Sequence, residues 1–273
     1  MIRKRIGVFD SGIGGLTVLQ ELMNSYAADY FYVADTANLP YGNKTAEQIK
    51  LFSAQIVSFL ITKQIDVCII ACHTSSAIAL DDLHHLFPEL KIIGVMNRVC
   101  QVAAAQTKTG QIGIIATPAT IDRHAHKQML LSLNNQFSII EQACPELVPT
   151  IEAAKIDREK IKVLLEEYLA PMKTHSIDTL IIGCTHYALI KDEINYVLGD
   201  NVTLISADET LALANFYPNE ENATFPSSLE CFVTGDKNSF EQKASAILTT
   251  KISAVYVNFS KNPEPTSLGH KIL

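Results

Sequence analysis

Residues 65 to 74 read IDVCIIACHT, and residues 177 to 186 read IDTLIIGCTH. Aligned without gaps, Ile65, Asp66, Ile69, Ile70 and Cys72 coincide with Ile177, Asp178, Ile181, Ile182 and Cys184. Each stretch is a short apolar run that closes on a cysteine. VCIIA and TLIIG are continuously apolar instead of alternating, as expected of central parallel strands covered by helices on both faces. The duplication predicts a chain built from two related halves.

The flanking sequence carries the same pattern. Strand-like runs occur at RIGVFD (5–10), DYFYVAD (29–35), KIIGVM (91–96), QIGIIAT (111–117), FSIIEQ (137–142), NVTLIS (201–206) and AVYVNF (254–259). Helix-patterned stretches include LTVLQELMNSY (16–26), TAEQIKLFSAQIVSFLI (45–61), SSAIALDDLHHLF (75–87) and DREKIKVLLEEYLAPM (157–172). The alternation predicts an α/β fold of two pseudo-symmetric, doubly wound parallel-sheet lobes facing a central cleft. Residues 1–96 with 208–273 are expected to form the first lobe and 97–207 the second, with the polar segment PNEENATFPSS (218–228) returning the chain to the first.

Composition excludes several functions. The chain has 273 residues, 48% of them hydrophobic, and a net charge of -7. After the opening RKR no cluster of Lys and Arg offers a footprint for nucleic acid or an anionic membrane. Asp10 and the glycines after it break the apolar run of MIRKRIGVFD well short of a signal-peptide core. No run approaches the roughly 18 apolar residues of a transmembrane helix, so a soluble, cytoplasmic protein is expected. The six cysteines lack the regular spacing of a disulfide framework and read as free thiols in a reducing compartment. GIGG does not spell GxGxxG, and no nucleotide cofactor is expected. His84 with His85, and His124 with His126, lack the Cys or carboxylate spacing of a metal site.

Both cysteines of the repeat fall at the C-terminal end of a buried strand, the end where open parallel sheets bind ligands. The first strands of the halves match too, RIGVFD ending in Asp10 and QIGIIAT in Thr117. Lobes related by an approximate two-fold axis would put Cys72 and Cys184 on opposite walls of one cleft. Inverting a carbon stereocentre without redox chemistry needs a group on each face, alternating as acid and base, and two thiols can do both. With an ordinary pKa of about 8.5, ionising each at pH 7 costs roughly 2 kcal/mol, part of which a helix N-terminus beside each sulfur would offset. His186 and Asp10 are candidate helpers. Asp10 before Ser11 and Gly12 equally suits a turn or helix cap. Cys68, Cys100, Cys144 and Cys231 read as packing residues.

FDSGIGGLTVLQEL (9–22), ADTANLPYGNKT (34–45), ACHTSSA (71–77), ACPELVPTIE (143–152), IIGCTHYALI (181–190) and FVTGDKNSF (232–240) span nearly the whole chain. Together they resemble the glutamate racemases, cofactor-independent enzymes of the aspartate/glutamate racemase superfamily. The resemblance implies that Cys72 takes the α-proton from D-glutamate and Cys184 from L-glutamate, with Asp10 and His186 assisting and Glu152 near the histidine. It implies substrate contacts from Asp10, Ser11, Pro40, Tyr41, Gly42, Cys72, His73, Thr74, Thr117, Thr120, Cys184, Thr185 and His186. It implies no cofactor and no metal, glutamate as the small-molecule partner, and D-glutamate supplied for peptidoglycan synthesis. The oligomeric state is not fixed, and a homodimer is left open. With Asp10 so near the start, no N-terminal extension of the kind through which some relatives bind a cell-wall precursor is expected.

Three positions depart from the family habit. GVMNRVC (94–100) replaces a usual Pro-Gly, and Ala188 a usual Pro; both read as structural. His73 stands where the family has Asn beside the first cysteine, which bears on how the substrate's amino-acid end is held. It keeps open a racemase of aspartate or another amino acid. A non-catalytic binding protein on this fold would require a broken acid/base set, and the set is intact.

Overall fold

The computed structural model describes residues 3–153, 155–212 and 226–259. Strand β1 (Arg5–Asp10) turns through glycines into α1 (Gly15–Ser25); β2 (Asp29–Ala34) precedes α2 (Ala46–Thr62), β3 (Val67–Ile70) precedes α3 (His73–Leu86), and β4 (Lys91–Gly94) precedes α4 (Val95–Gln106). In the second half β5 (Gln111–Ala116) is followed by α5 (Pro118–Ile121) and α6 (Ala125–Leu133), and β6 (Ser138–Ala143) by α7 (Leu147–Ile151) and α8 (Arg158–Thr174). Next, β7 (Thr179–Gly183) enters a 3₁₀ turn over Thr185–Ile190 and then α9 (Lys191–Leu198). The remaining described elements are β8 (Thr203–Ile205), α10 (Ala207–Ala212), β9 (Ser228–Val233), α11 (Lys237–Ile247) and β10 (Ala254–Tyr256).

Two parallel sheets result, one ordered β10-β9-β2-β1-β3-β4 and the other β6-β5-β7-β8. The orders β2-β1-β3-β4 and β6-β5-β7-β8 are the same arrangement, so the sequence repeat is also a topological one. In each sheet the chain starts in the middle, and β1 and β5 pair on both edges. Crossovers then leave on opposite sides of the starting strand. The loops after β1, β3, β5 and β7 consequently gather at the carboxyl ends of the strands, where the switch of winding direction opens a crevice.

Burial explains the apolar runs. All four residues of β3 and all five of β7 are buried, and each Ile or Val side chain so buried contributes about 1.5–3 kcal/mol. Helix starts are set by local chemistry. Thr45 and Gln48 form a reciprocal capping box at α2, and Asp236 caps α11 by accepting from the amides of Asn238 and Ser239. Among the described residues no helix is long and apolar enough to cross a membrane.

Two strands differ from expectation. The apolar run 91–96 is strand only as far as Gly94, after which α4 begins. A Cβ at Gly94 would stand 2.2 Å from the Ser76 hydroxyl oxygen, and that oxygen accepts from the Met96 amide; close approach of α3 ends the strand. Strand β9, not read from sequence, has only its last three residues buried, which leaves it a weak apolar signal. Of the segment 218–228, residues 218–225 lie outside the described residues.

Candidate active site

Cys72 follows the end of β3 after one intervening residue and caps α3, its Sγ accepting from the Ser75 amide at 3.5 Å. Cys184 directly follows β7 and stands at the start of the 3₁₀ turn, with no capping hydrogen bond from its sulfur. The two thiols, one after a strand of each sheet, line a single narrow cleft at the carboxyl ends of the strands. Ser11, Pro40, Tyr41, Gly42, His73, Thr74, Thr117, Thr185 and His186 line it too. Val148, on α7, completes the lining; nothing in the sequence distinguishes it from an ordinary core valine.

The two sulfurs sit in different fields. Burial pushes the Cys72 thiol up to about 12, and the Asp10 charge adds to this, while the Ser75 hydrogen bond pulls the other way. Ionising it at pH 7 therefore costs about 7 kcal/mol, not the 2 expected from an ordinary thiol. The helix terminus is present, but desolvation outweighs it. Cys184 has a 3₁₀ turn where a helix was expected, and its neighbour is instead His186, whose Nδ1 lies 3.9 Å from Sγ.

Behind Cys184 runs a chain of charges. His186 Nε2 and Glu152 Oε1 are 2.8 Å apart. The other carboxylate oxygen of Glu152 accepts from Lys243 Nζ at 2.9 Å, and the same ammonium donates to the Glu152 carbonyl at 2.6 Å. Burial would depress the His186 imidazole, but its bonds to Cys184 and Glu152 prevail and hold it well above the ordinary value. For Glu152, burial acts upward and is outweighed by His186 and Lys243, which bring the carboxyl down to about 2. An imidazolium is thus held beside the Cys184 sulfur.

Asp10 is completely buried and is a structural hub. Its Oδ2 accepts from the amides of Gly12 and Gly15, and its Oδ1 from the Thr185 hydroxyl, each at 3.1 Å. Burial raises its pKa, against the His186 charge and these three hydrogen bonds. It acts on Cys72 through charge, and its hydrogen bonds serve the cap reading and the junction between the halves at once. The glycines of the DSGIGG turn face close neighbours, Leu39 and Glu152 at Gly12 and the Cys184 loop at Gly14. A Cβ at Gly12 would stand 2.5 Å from Glu152 Oε1, and one at Gly14 would stand 2.6 Å from the His186 amide nitrogen.

Thr120 and Glu152 stand behind the lining side chains. The hydroxyls of Thr74, Thr117 and Thr120 form a closed triangle with sides of 2.9–3.0 Å, joining α3 to the β5 turn. Asp35, which the sequence does not flag, accepts from the Tyr41 hydroxyl at 2.6 Å and so fixes a wall of the cleft. His73 stacks on His126, with its Nδ1 3.0 Å from His126 Nε2. His124 pairs with Glu141 on the surface, and among the described residues no group of three metal-ligating side chains gathers. All six cysteines are free and buried.

A sequence profile described as Asp/Glu/Hydantoin racemase matches residues 6–213. The chain belongs to this family. Within the racemase family, it is 42% identical over 212 residues to the glutamate racemase of Sulfurovum sp. strain NBC37-1, covering 76% of this chain and 80% of that one. The crystal structure of a glutamate racemase isoform from Bacillus anthracis superposes with a TM-score of 0.88 at 32% identity, covering 93% of this chain and 97% of that one. The Francisella tularensis glutamate racemase, solved in complex with D-glutamate, gives a TM-score of 0.85 at 32% identity, covering 94% and 98%. The fold is therefore shared with these solved glutamate racemases over most of the chain.

Proposed function

We infer that the chain is a glutamate racemase that interconverts L- and D-glutamate with two cysteines and no cofactor. The observation that carries the reading is the meeting of Cys72 and Cys184, each from its own sheet, in one cleft. In this mechanism Cys184 removes the α-proton of L-glutamate and the Cys72 thiol delivers a proton to the other face of the same carbon. The reverse reaction exchanges the roles. The His186 imidazole stands 3.9 Å from the Cys184 sulfur, placed to offset negative charge there during proton removal, and Glu152 keeps that imidazole above its ordinary pKa. Hydroxyls at Ser11, Thr74 and Thr117 supply donors for the substrate carboxylates, whose charge grows as the α-carbon loses its proton. D-glutamate made this way supplies peptidoglycan synthesis. The lobes proposed for this chemistry are residues 1–96 with 208–273, and 97–207.

His73 supports a second reading, a racemase of aspartate, because it alters the amino-acid end of the cleft. One assay separates the two: circular dichroism followed with D- and L-glutamate and with D- and L-aspartate, after exhaustive dialysis against a chelator and with no cofactor added. Glutamate signals that decay to zero from both enantiomers are expected. Activity only after adding pyridoxal phosphate or a divalent ion would sink the two-thiol reading, and decay with aspartate alone would move the substrate.

A further inference from the structure

His73 is the first residue of α3 and lines the cleft beside Cys72. Its side chain is buried, and its Nε2 has no hydrogen-bond partner. The other ring nitrogen, Nδ1, is engaged by His126 Nε2 from α6 at 3.0 Å, with the rings stacked 5.2 Å apart. Both imidazoles are desolvated. Burial, aided by His126, lowers His73 well below the ordinary value, and burial brings His126 down to about 4. At working pH the pair is neutral, so a single proton lies in the bond between the rings. Whichever ring owns that proton decides whether His73 Nε2 is a donor or an acceptor.

The composition of the cleft decides between them. An amino acid brings carboxylates, which need donors, and an ammonium, which needs an acceptor. Donors come from the Ser11 hydroxyl and from those of Thr74 and Thr117, which can turn from one another toward a carboxylate, while the Thr185 hydroxyl is held by Asp10. Charged acceptors are scarce: among the described residues no Asp or Glu lines the cleft, Asp10 behind it already accepts three hydrogen bonds, and the hydroxyl oxygens that could accept are neutral. A bare imidazole nitrogen at His73, which has no partner of its own, answers that need without drawing on a hydroxyl. We propose that His126 is a positioning residue that accepts the Nδ1 proton of His73, holding His73 Nε2 as a hydrogen-bond acceptor for the substrate's α-ammonium group. The proposal rests on the amino-acid racemase reading.

Two arms test it. In the first, the free enzyme labelled with ¹⁵N-histidine is studied by NMR at about pH 8, the His73 ring being assigned by comparison with His73→Asn. A protonated Nδ1 and an unprotonated Nε2 are expected; the opposite pattern overturns the proposal. In the second arm, His126→Phe keeps the stacked ring but removes the acceptor. It is expected to raise KM for glutamate about tenfold, the scale of one hydrogen bond to a charged group, with a much smaller effect on kcat. His126→Gln restores KM, because its amide oxygen accepts from Nδ1. A folded His126→Phe with unchanged KM overturns the role, as does a His126→Gln that binds no better than His126→Phe. If His126→Phe fails to fold, His126→Gln and the NMR arm decide. Absence of glutamate turnover in the unsubstituted enzyme would refute the functional reading, while the NMR arm still reads the His73 tautomer independently of turnover.

Discussion

Glu152 holds His186 across the base of the cleft, 2.8 Å from Oε1 to Nε2, with Lys243 on its other oxygen. The pair makes stability depend on pH in a specific window. Glu152 is depressed from 4.5 to about 2, so its contribution is complete above about pH 4.5 and is lost as pH falls toward 2. His186 is raised above 6.5, so its contribution is complete below about 6.5 and is lost as pH rises through the folded value. Both act fully only between about pH 4.5 and 6.5. The drop at Glu152 corresponds to about 3 kcal/mol at about 1.4 kcal/mol per pH unit.

Glu152→Gln is therefore expected to lower Tm at about pH 5.5 by roughly 10 °C, and the difference from the unsubstituted protein should vanish toward pH 2. Calorimetry at a series of pH values reads this directly. Asp178 is also depressed to about 2, but it is common to both proteins and cancels in the difference. A Tm gap that stays constant down to pH 2 would remove the charge pairing from the account.

Thiol reactivity should separate the two cysteines. Alkylation needs the thiolate. The Cys72 thiol is pushed up to about 12, whereas the Cys184 sulfur has an imidazole held protonated at 3.9 Å. Iodoacetamide at about pH 8 is expected to label Cys184 first, as read by peptide mass spectrometry, and His186→Asn should slow that labelling about tenfold or more. Equal labelling of Cys72 and Cys184 would show that the imidazolium does not control the reactive sulfur.

The parts of this site that are legible in sequence are those carried by the repeat. Cys72, Cys184, Asp10 and Thr117 can be placed because matched strand ends put them in matched turns, and β3 and β7 are apolar enough to be recognised without context. His186 and Glu152 can be paired only through the resemblance, since 34 residues separate them. Lys243 lies 91 residues from Glu152, on a helix whose sequence looks like an ordinary solvated face. His126 reads as a stray histidine after a turn, because a contact between side chains 53 residues apart, His73 on α3 and His126 on α6, has no local signature. The depth of Cys72 is likewise invisible: the cap and helix start can be read, but the desolvation that overrides them is a property of the closed cleft.

The glycine turn gives a steric prediction. At Gly14 a methyl group would meet the His186 amide nitrogen at 2.6 Å and the Thr185 hydroxyl at 2.6 Å. Backbone on one side and a hydroxyl bonded to Asp10 on the other leave little room to yield, and overpacking of this kind costs about 1–3 kcal/mol. Gly14→Ala is expected to retain its far-ultraviolet spectrum while kcat falls at least about tenfold, because the Cys184 loop must move away from the β1 turn. Unchanged kcat would mean that the two loops can separate without consequence.

Replacing the cysteines tests the division of labour most directly. If Cys184 serves one face of the α-carbon and Cys72 the other, Cys72→Ala and Cys184→Ala each leave a single working base. Neither can invert the centre, because the proton removed from one face has no agent to replace it on the other. A remaining base can still remove and return a proton on its own face. In deuterated solvent Cys72→Ala is therefore expected to exchange the α-hydrogen of L-glutamate slowly, without forming the D-enantiomer, and Cys184→Ala to do the same with D-glutamate. Because Cys72 must be ionised against its burial and the Asp10 charge, exchange by Cys184→Ala should be the slower of the two and should quicken as pH rises. Chiral chromatography with mass detection separates exchange from inversion in one experiment. Racemisation at near the unsubstituted rate in either variant would take that cysteine out of the mechanism, and exchange of the wrong enantiomer would reverse the assignment of faces.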